Sequence, residues 1–152
     1  VRFDYSEREV DPLPGEFGVQ VIHEPIVLVR FIGPSQTYLV RGLLDTGASM
    51  TLAPRFYFQK LGMSVAQSER VRLRTASGTV NVLLGALDLE VRLGSSSYRW
   101  SAQVGFVPRA DNLALLGHAG FLDHFSVTFD GLRKRVTLKP NGTFPAPIFN
   151  SA

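Results

Sequence analysis

Leu43-Leu44-Asp45-Thr46-Gly47-Ala48-Ser49 is the stretch that decides the fold of this chain. An apolar strand runs into an acid, a small hydroxyl residue and a glycine. Taken alone, Asp-Thr-Gly is also an ordinary strand-to-turn junction, because Asp and Gly are common turn residues. A second apolar-apolar-glycine element, Leu115-Leu116-Gly117, follows downstream. The chain holds one Asp-Thr-Gly and not two. If the acid marks a site, one chain carries half of it.

Upstream of Asp45, Pro25-Ile26-Val27-Leu28-Val29-Arg30-Phe31-Ile32 is a β-branched run that stops at Gly33-Pro34, a strong turn signal. Tyr38-Leu39-Val40 resumes the pattern and leads through Gly42 to Asp45, which predicts two strands joined by a polar turn. Downstream, Pro54 opens a mixed stretch closed by Gly62. Proline suits the first turn of a helix and glycine the left-handed position after its end, so about two helical turns are expected there. Val71-Arg72-Leu73-Arg74 alternates, residues 75–79 break the alternation, and Val80, Val82 and Leu84 resume it. That pattern predicts a hairpin with a small, flexible tip. Leu87, Leu89, Val91 and Leu93 predict a further strand ended by Gly94-Ser95-Ser96-Ser97, and Trp100, Ala102 and Val104 the next. One helical turn is expected at residues 121–125. Val127-Thr128-Phe129 and Val136-Thr137-Leu138 are the last strands, joined at Asp130-Gly131. There is no internal repeat and no low-complexity tract. The fold class is all-β with one or two short helices.

A length of 152 residues suits one domain with its own core. Charged residues are only 19%, which leaves apolar surface for oligomerisation. The absence of cysteine excludes a disulfide framework, a thiol nucleophile and cysteine zinc sites, and leaves the compartment open. The formal net charge of +3 is unevenly spread: residues 1–24 hold six acids and two arginines, so they sum to −4 and leave +7 for the remainder. The expected organisation is an acidic arm over 1–24, a body over 25–138 and an irregular tail over 139–152 with its prolines and asparagines. The arm is read as solvated, as a first strand, or as a segment that docks on its own domain or on a partner. The basic residues are scattered, so nucleic acid is not an expected partner. No apolar run approaches the ~18 residues a membrane span needs. The chain opens on Val1 without a signal-peptide pattern, and the expectation is a fragment of a longer protein.

These pieces together resemble the retroviral-type (retropepsin-like) aspartic proteases, closer to their cellular and bacterial relatives than to the viral ones. The resemblance covers about residues 25–138. It is carried by residues 43–49, by Thr51-Leu52 leading to a helix that ends Lys60-Leu61-Gly62, and by the hairpin around Ser77-Gly78. Leu115-Leu116-Gly117 followed by Phe121-Leu122, and Phe125-Ser126-Val127-Thr128-Phe129-Asp130, complete it. The resemblance implies a homodimeric, retropepsin-like acid protease fold and an aspartic endopeptidase activity on extended polypeptides. It implies no cofactor and no metal. Asp45 of two subunits would activate a water between them, because two carboxylates ~3 Å apart share one proton and supply base and acid together. Thr46, Gly47 and Gly117 would support the loop: the threonine hydroxyl by bonding across the dimer, the glycines by admitting close backbone. Thr75, Ala76, Ser77 and Gly78 would form a flap over the substrate, with Ala48, Leu113 and Leu115 lining its pockets. Viral members often carry an acid at the position of Ser49 and an arginine at that of His118, a pair that braces their dimer; here both are absent together.

A second class of function shares this fold: a dimeric peptide-binding or scaffolding module that does not cut. Other chemistry finds little support. His118 and His124 are six apart, with no third ligand, and read as surface or interface residues. No Gly-x-Ser-x-Gly elbow, P-loop or dinucleotide fingerprint occurs. Asp88, Glu90, Asp111 and Asp123 lack the apolar approach and the following Thr-Gly, and read as solvated or capping acids.

Overall fold

The computed structural model describes residues 1–144 and the backbone of Phe149–Asn150. Three strands lie in the acidic N-terminal part: β1 (Arg2–Asp4), β2 (Ser6–Val10) and β3 (Gln20–Glu24). β4 (Ile26–Ile32) and β5 (Thr37–Leu44) form the first hairpin of the body, followed by β6 (Leu52–Pro54) and the helix α1 (Arg55–Lys60). Next come β7 (Glu69–Thr75), β8 (Gly78–Leu93), β9 (Ser96–Val107) and β10 (Ala114–Leu116). β11 (Phe125–Asp130), β12 (Arg135–Pro140) and β13 (Phe149–Asn150) close the order. Short 3₁₀ turns occupy Val65–Gln67 and Leu122–His124, the second where one helical turn was expected.

An eight-stranded sheet in the order β13-β9-β6-β10-β5-β4-β8-β7 makes the body. A three-stranded sheet β1-β12-β11 and a separate two-stranded sheet β2-β3 accompany it. In β4 the burial alternates although the run is almost wholly apolar: Val27, Val29 and Phe31 are buried, Leu28 and Arg30 exposed. Those buried residues join Val40, Phe58, Leu61, Leu89, Val104 and Phe106 in the main core. The helix α1 ends as its glycine predicts. Gly62 has φ 79°, and Gly62 N–H and Met63 N–H return to the carbonyls of Gln59 and Phe58 at 3.0 and 3.1 Å. Pro54 is the residue just before the helix rather than its first helical one, with φ −56° already helix-compatible.

Three expectations change. Residues 80–93 were expected as two strands and form one, β8, sixteen residues long. Its first half pairs with β7 and its second with β9 and β4, so one strand serves two neighbours in turn. The buried phase shifts near Leu83 because Val82 faces a small second apolar cluster, whereas Leu87, Leu89 and Val91 face the main core. The N-terminal part is not a plain arm, since β1 pairs with β12 and β2 with β3. The expected irregular tail is partly strand: residues 139–140 end β12, and Phe149–Asn150 pair with Ser97 and Ser96. Residues 145–148 and 151–152 of that tail lie outside the described residues.

Candidate active site

β5 delivers Asp45 to the end of the sheet. Leu44 is buried, Asp45 is half-buried, and Thr46 and Gly47 are exposed at the loop tip. β10 lies between the two strands that flank this loop. It runs parallel to β5, with Leu115 opposite Leu43, and antiparallel to β6, with Leu115 opposite Leu52. Gly42 makes room for this arrangement: a Cβ there would meet the Leu116 side chain at 2.6 Å.

Hydrogen bonds tie the loop to residues 116–119 along its length. Asp45 N–H donates to Leu116 O at 3.2 Å, His118 N–H to Ala48 O at 3.0 Å, and Ala119 N–H to Ser49 O at 3.0 Å. Thr51 N–H donates to Ala119 O at 2.9 Å. Gly117 sits where the two segments press together. A Cβ at that position would fall 2.6 Å from the Met50 carbonyl carbon and 2.7 Å from Ala48 O, and closer still to Met50 O. Only glycine admits that backbone approach.

Within the loop, Gly47 N–H donates to Asp45 Oδ1 at 2.9 Å, and Ala48 N–H to Asp45 O at 3.2 Å. A backbone donor aimed at the carboxylate fixes its rotamer without spending a side chain. Ala48 is half-buried beside it. His118 contributes a contact that sequence reasoning missed: its Nε2 lies 3.0 Å from Thr46 O. A carbonyl only accepts, so Nε2 carries the proton in this contact. The other ring nitrogen stands 4.0 Å from Asp123 Oδ1. Adjacency to Gly117 was the available signal, since whatever follows that glycine lies against the Asp45 loop.

The β7–β8 hairpin turns at the expected residues. Thr75 pairs with Gly78, whose φ of 126° suits glycine, and Ala76 and Ser77 are exposed at the tip. Thr75 Oγ1 donates to Gly78 O at 2.9 Å and lies 3.2 Å from Ser77 Oγ. The stem of this hairpin and the Asp45 loop share one apolar cluster. Leu52, Val82 and Val107 are its buried centre, and Met50, Val71, Leu73, Val80, Leu84 and Leu115 pack against it. Leu115 is thus brought under the hairpin. Leu113 is half-buried and stands apart from that cluster, its N–H donating to Asp111 Oδ1 at 3.3 Å.

Asp111 is in turn held by a two-bond pair with Arg109 at 2.9 and 2.7 Å. The Arg109 guanidinium is the main cause that lowers the Asp111 carboxyl below its ordinary range. This pair stiffens the segment entering β10. A cavity of about 630 Å³ lies away from Asp45, lined by residues including Phe3, Ile26, Leu28, Leu39, Arg41 and Arg92. Among the described residues no group of three or more potential metal ligands forms, and no helix is long and apolar enough to cross a membrane.

Residues 32–117 match the family described as Aspartyl protease, more than half of the chain. The chain belongs to this aspartyl protease family. Its matched region runs from the end of β4 to Gly117 and so includes both the Asp45 loop and β10. Among solved structures, this aspartyl protease is similar to the crystal structure of a retropepsin-like aspartic protease from Rickettsia conorii. The two are 19% identical, the match covers 73% of this chain and 88% of that one, and the TM-score is 0.48. The search of curated proteins gives no match.

Proposed function

We propose that this aspartyl protease is an endopeptidase that acts as a homodimer, with Asp45 of each subunit forming one catalytic dyad. One observation carries the reading: Asp45 stands half-exposed at the tip of a loop that is hydrogen-bonded along its length to the neighbouring segment. That loop presents a single carboxylate at the end of the sheet. Peptide hydrolysis by this chemistry needs two, and two-fold symmetry supplies the second at no cost in sequence.

The steps follow from the charges. Two carboxylates within ~3 Å do not both ionise, so one carries a proton and the other does not. The ionised one takes a proton from a bound water as that oxygen attacks the scissile carbonyl carbon. The protonated one gives its proton to the carbonyl oxygen. Collapse of the resulting tetrahedral diol breaks the C–N bond: the carboxylate just ionised takes a proton from a diol hydroxyl as the carbonyl re-forms, the departing amine takes the proton the other carboxyl drew from water, and the dyad is again singly protonated. Gly47 N–H holds Asp45 in place through the cycle. Thr46, exposed at the tip, bonds across the dimer in this reading. The β7–β8 hairpin, through Thr75, Ala76, Ser77 and Gly78, is the flap that offers backbone to an extended substrate and excludes water. Leu115 and Ala48 line the apolar floor, with Leu113 at its margin.

Replacing Asp45 with Asn tests the assignment. The variant keeps the shape of the loop and loses the ionisable group, so cleavage of an unfolded protein substrate disappears while the oligomeric mass stays that of wild type. Undiminished cleavage would end the reading.

A further inference from the structure

Among the described residues the β2–β3 hairpin pairs with no other sheet. It forms a two-stranded sheet of its own, with rungs from Ser6 opposite Glu24 to Val10 opposite Gln20. Two strands alone are marginal in water and need an apolar face covered by something else. Val10 and Ile22 are half-buried, but four other apolar residues of the hairpin and its connecting segment face outward: Leu13 is 64% exposed, Phe17 100%, Val19 67% and Val21 50%. Glu9, Asp11 and Glu16 stand among them, and no lysine or arginine occurs from residue 9 to residue 24. The tip is both apolar and anionic.

Its root is located by register. β4 runs antiparallel to β5 with Ile26 opposite Leu43, and Leu44 N–H donates to Pro25 O at 3.0 Å. β3 ends one residue before Pro25, so the hairpin emerges from the end of the sheet at which Asp45 sits. At its base, Arg8 and Glu24 form an ion pair at 2.8 Å and lie near enough to Asp111, in the segment entering β10, to feel its charge. Paired strands of five residues reach about 16 Å, and residues 11–19 extend the hairpin further.

We propose that this hairpin is a clasp that docks on a second copy of the chain through Leu13, Phe17 and Val19. The proposal rests on the homodimer reading above, which puts the Asp45 ends of two copies face to face. An arm leaving that end then reaches the body of the partner. The charges match: residues 1–24 sum to −4 and the remainder to +7. The body also offers basic surface with apolar patches. Arg55, Arg70 and Arg72 line a cavity of about 350 Å³ with Val71 and Val82, and no acid is in its lining. Among the described ion pairs none involves those three arginines.

Two full-length variants test the clasp. One carries Leu13→Ser, Phe17→Ser and Val19→Ser, changes at exposed positions that leave the core untouched. The other replaces residues 11–19 with a two-residue Asn-Gly turn. Sedimentation equilibrium gives the dimer constant, and cleavage is followed against protein concentration. Both variants are expected to dimerise at least tenfold more weakly, with the midpoint of the activity–concentration curve displaced by the same factor. The rate per dimer at saturating protein stays that of wild type. Added salt weakens the wild-type dimer more than either variant. A dimeric wild type whose constant neither variant alters would overturn the clasp and leave the homodimer standing. Faster cleavage per dimer at an unchanged constant would overturn it in favour of an arm lying over its own cleft. A wild type that is fully active as a monomer would overturn the homodimer and the clasp together.

Discussion

Gly117→Ala probes the contact that sets the position of Asp45. The added Cβ would fall 2.6 Å from the Met50 carbonyl carbon and 2.7 Å from Ala48 O. Two carbons rest at about 3.5–4.0 Å, so one side must yield by roughly 1 Å. Both neighbours are backbone, and no rotamer change relieves the overlap. Gly117 is itself buried, and its N- and C-terminal neighbours are bonded to the loop on either side. Overpacking of this kind costs about 1–3 kcal/mol. In a domain of this size each kcal/mol moves Tm by about 2–4 °C, so a loss near 2 kcal/mol lowers Tm by roughly 4–8 °C. Activity is expected to fall further than stability, because a displacement of about 1 Å in a catalytic group costs on the order of 100-fold. Differential scanning calorimetry and cleavage kinetics on the same preparation give both numbers. Gly131→Ala is the control, since nothing lies within 4 Å of a Cβ there; its change should stay within about 0.5 kcal/mol. A Gly117→Ala protein with wild-type Tm and wild-type kcat would refute the close approach as the device that positions the loop.

Two further predictions concern the scaffold. Arg99→Ala removes a guanidinium 2.7 Å from Asp88, whose carboxyl is held below its ordinary range first by the Ser101 hydroxyl and then by Arg99. The folded value lies below the unfolded one, so this stabilisation is complete above the unfolded value and is lost as pH falls through the folded one. The variant is therefore expected to be less stable at neutral pH by up to about 1 kcal/mol, with the difference vanishing in acid, as urea midpoints at the two pH values will report. Trp100→Phe keeps an aromatic ring beside Phe121 and Phe125 but deletes the Nε1–H bond to Gly120 O at 2.8 Å. Loss of that part-buried bond costs about 0.5–1.5 kcal/mol, seen as a lower urea midpoint at constant slope; an unmoved midpoint would contradict it.

Legibility in the sequence followed the range of the interaction. β4 reads from its β-branched run stopped at Gly33-Pro34, and α1 reads from Pro54 and Gly62 because a left-handed glycine suits a helix end. The Asp45 loop reads from local chemistry, an acid and two glycine-bearing elements whose spacing along the chain was visible. What did not read was whatever depends on distant partners. β6 is three residues long and is strand only because β9 and β10 flank it. The parallel pairing of β10 with β5 leaves no periodicity of its own. The continuity of β8 was hidden because its buried phase shifts where it passes from one apolar cluster to the other. The contact of His118 with Thr46 spans 72 residues and has no local signal beyond Gly117 beside it. The β2–β3 hairpin was obscured by Pro12, Pro14 and Gly15 and by the lack of a buried face.

Mixing wild-type and Asp45→Asn chains tests the shared dyad most directly. The two are combined in equal amounts at fixed total concentration, well above the dimer constant, and left to exchange subunits. If each active site needs Asp45 from both chains, only one pair in four is competent, and activity settles near a quarter of that of undiluted wild type. A value that settles at one half, the result for chains that each work alone, would contradict the dyad.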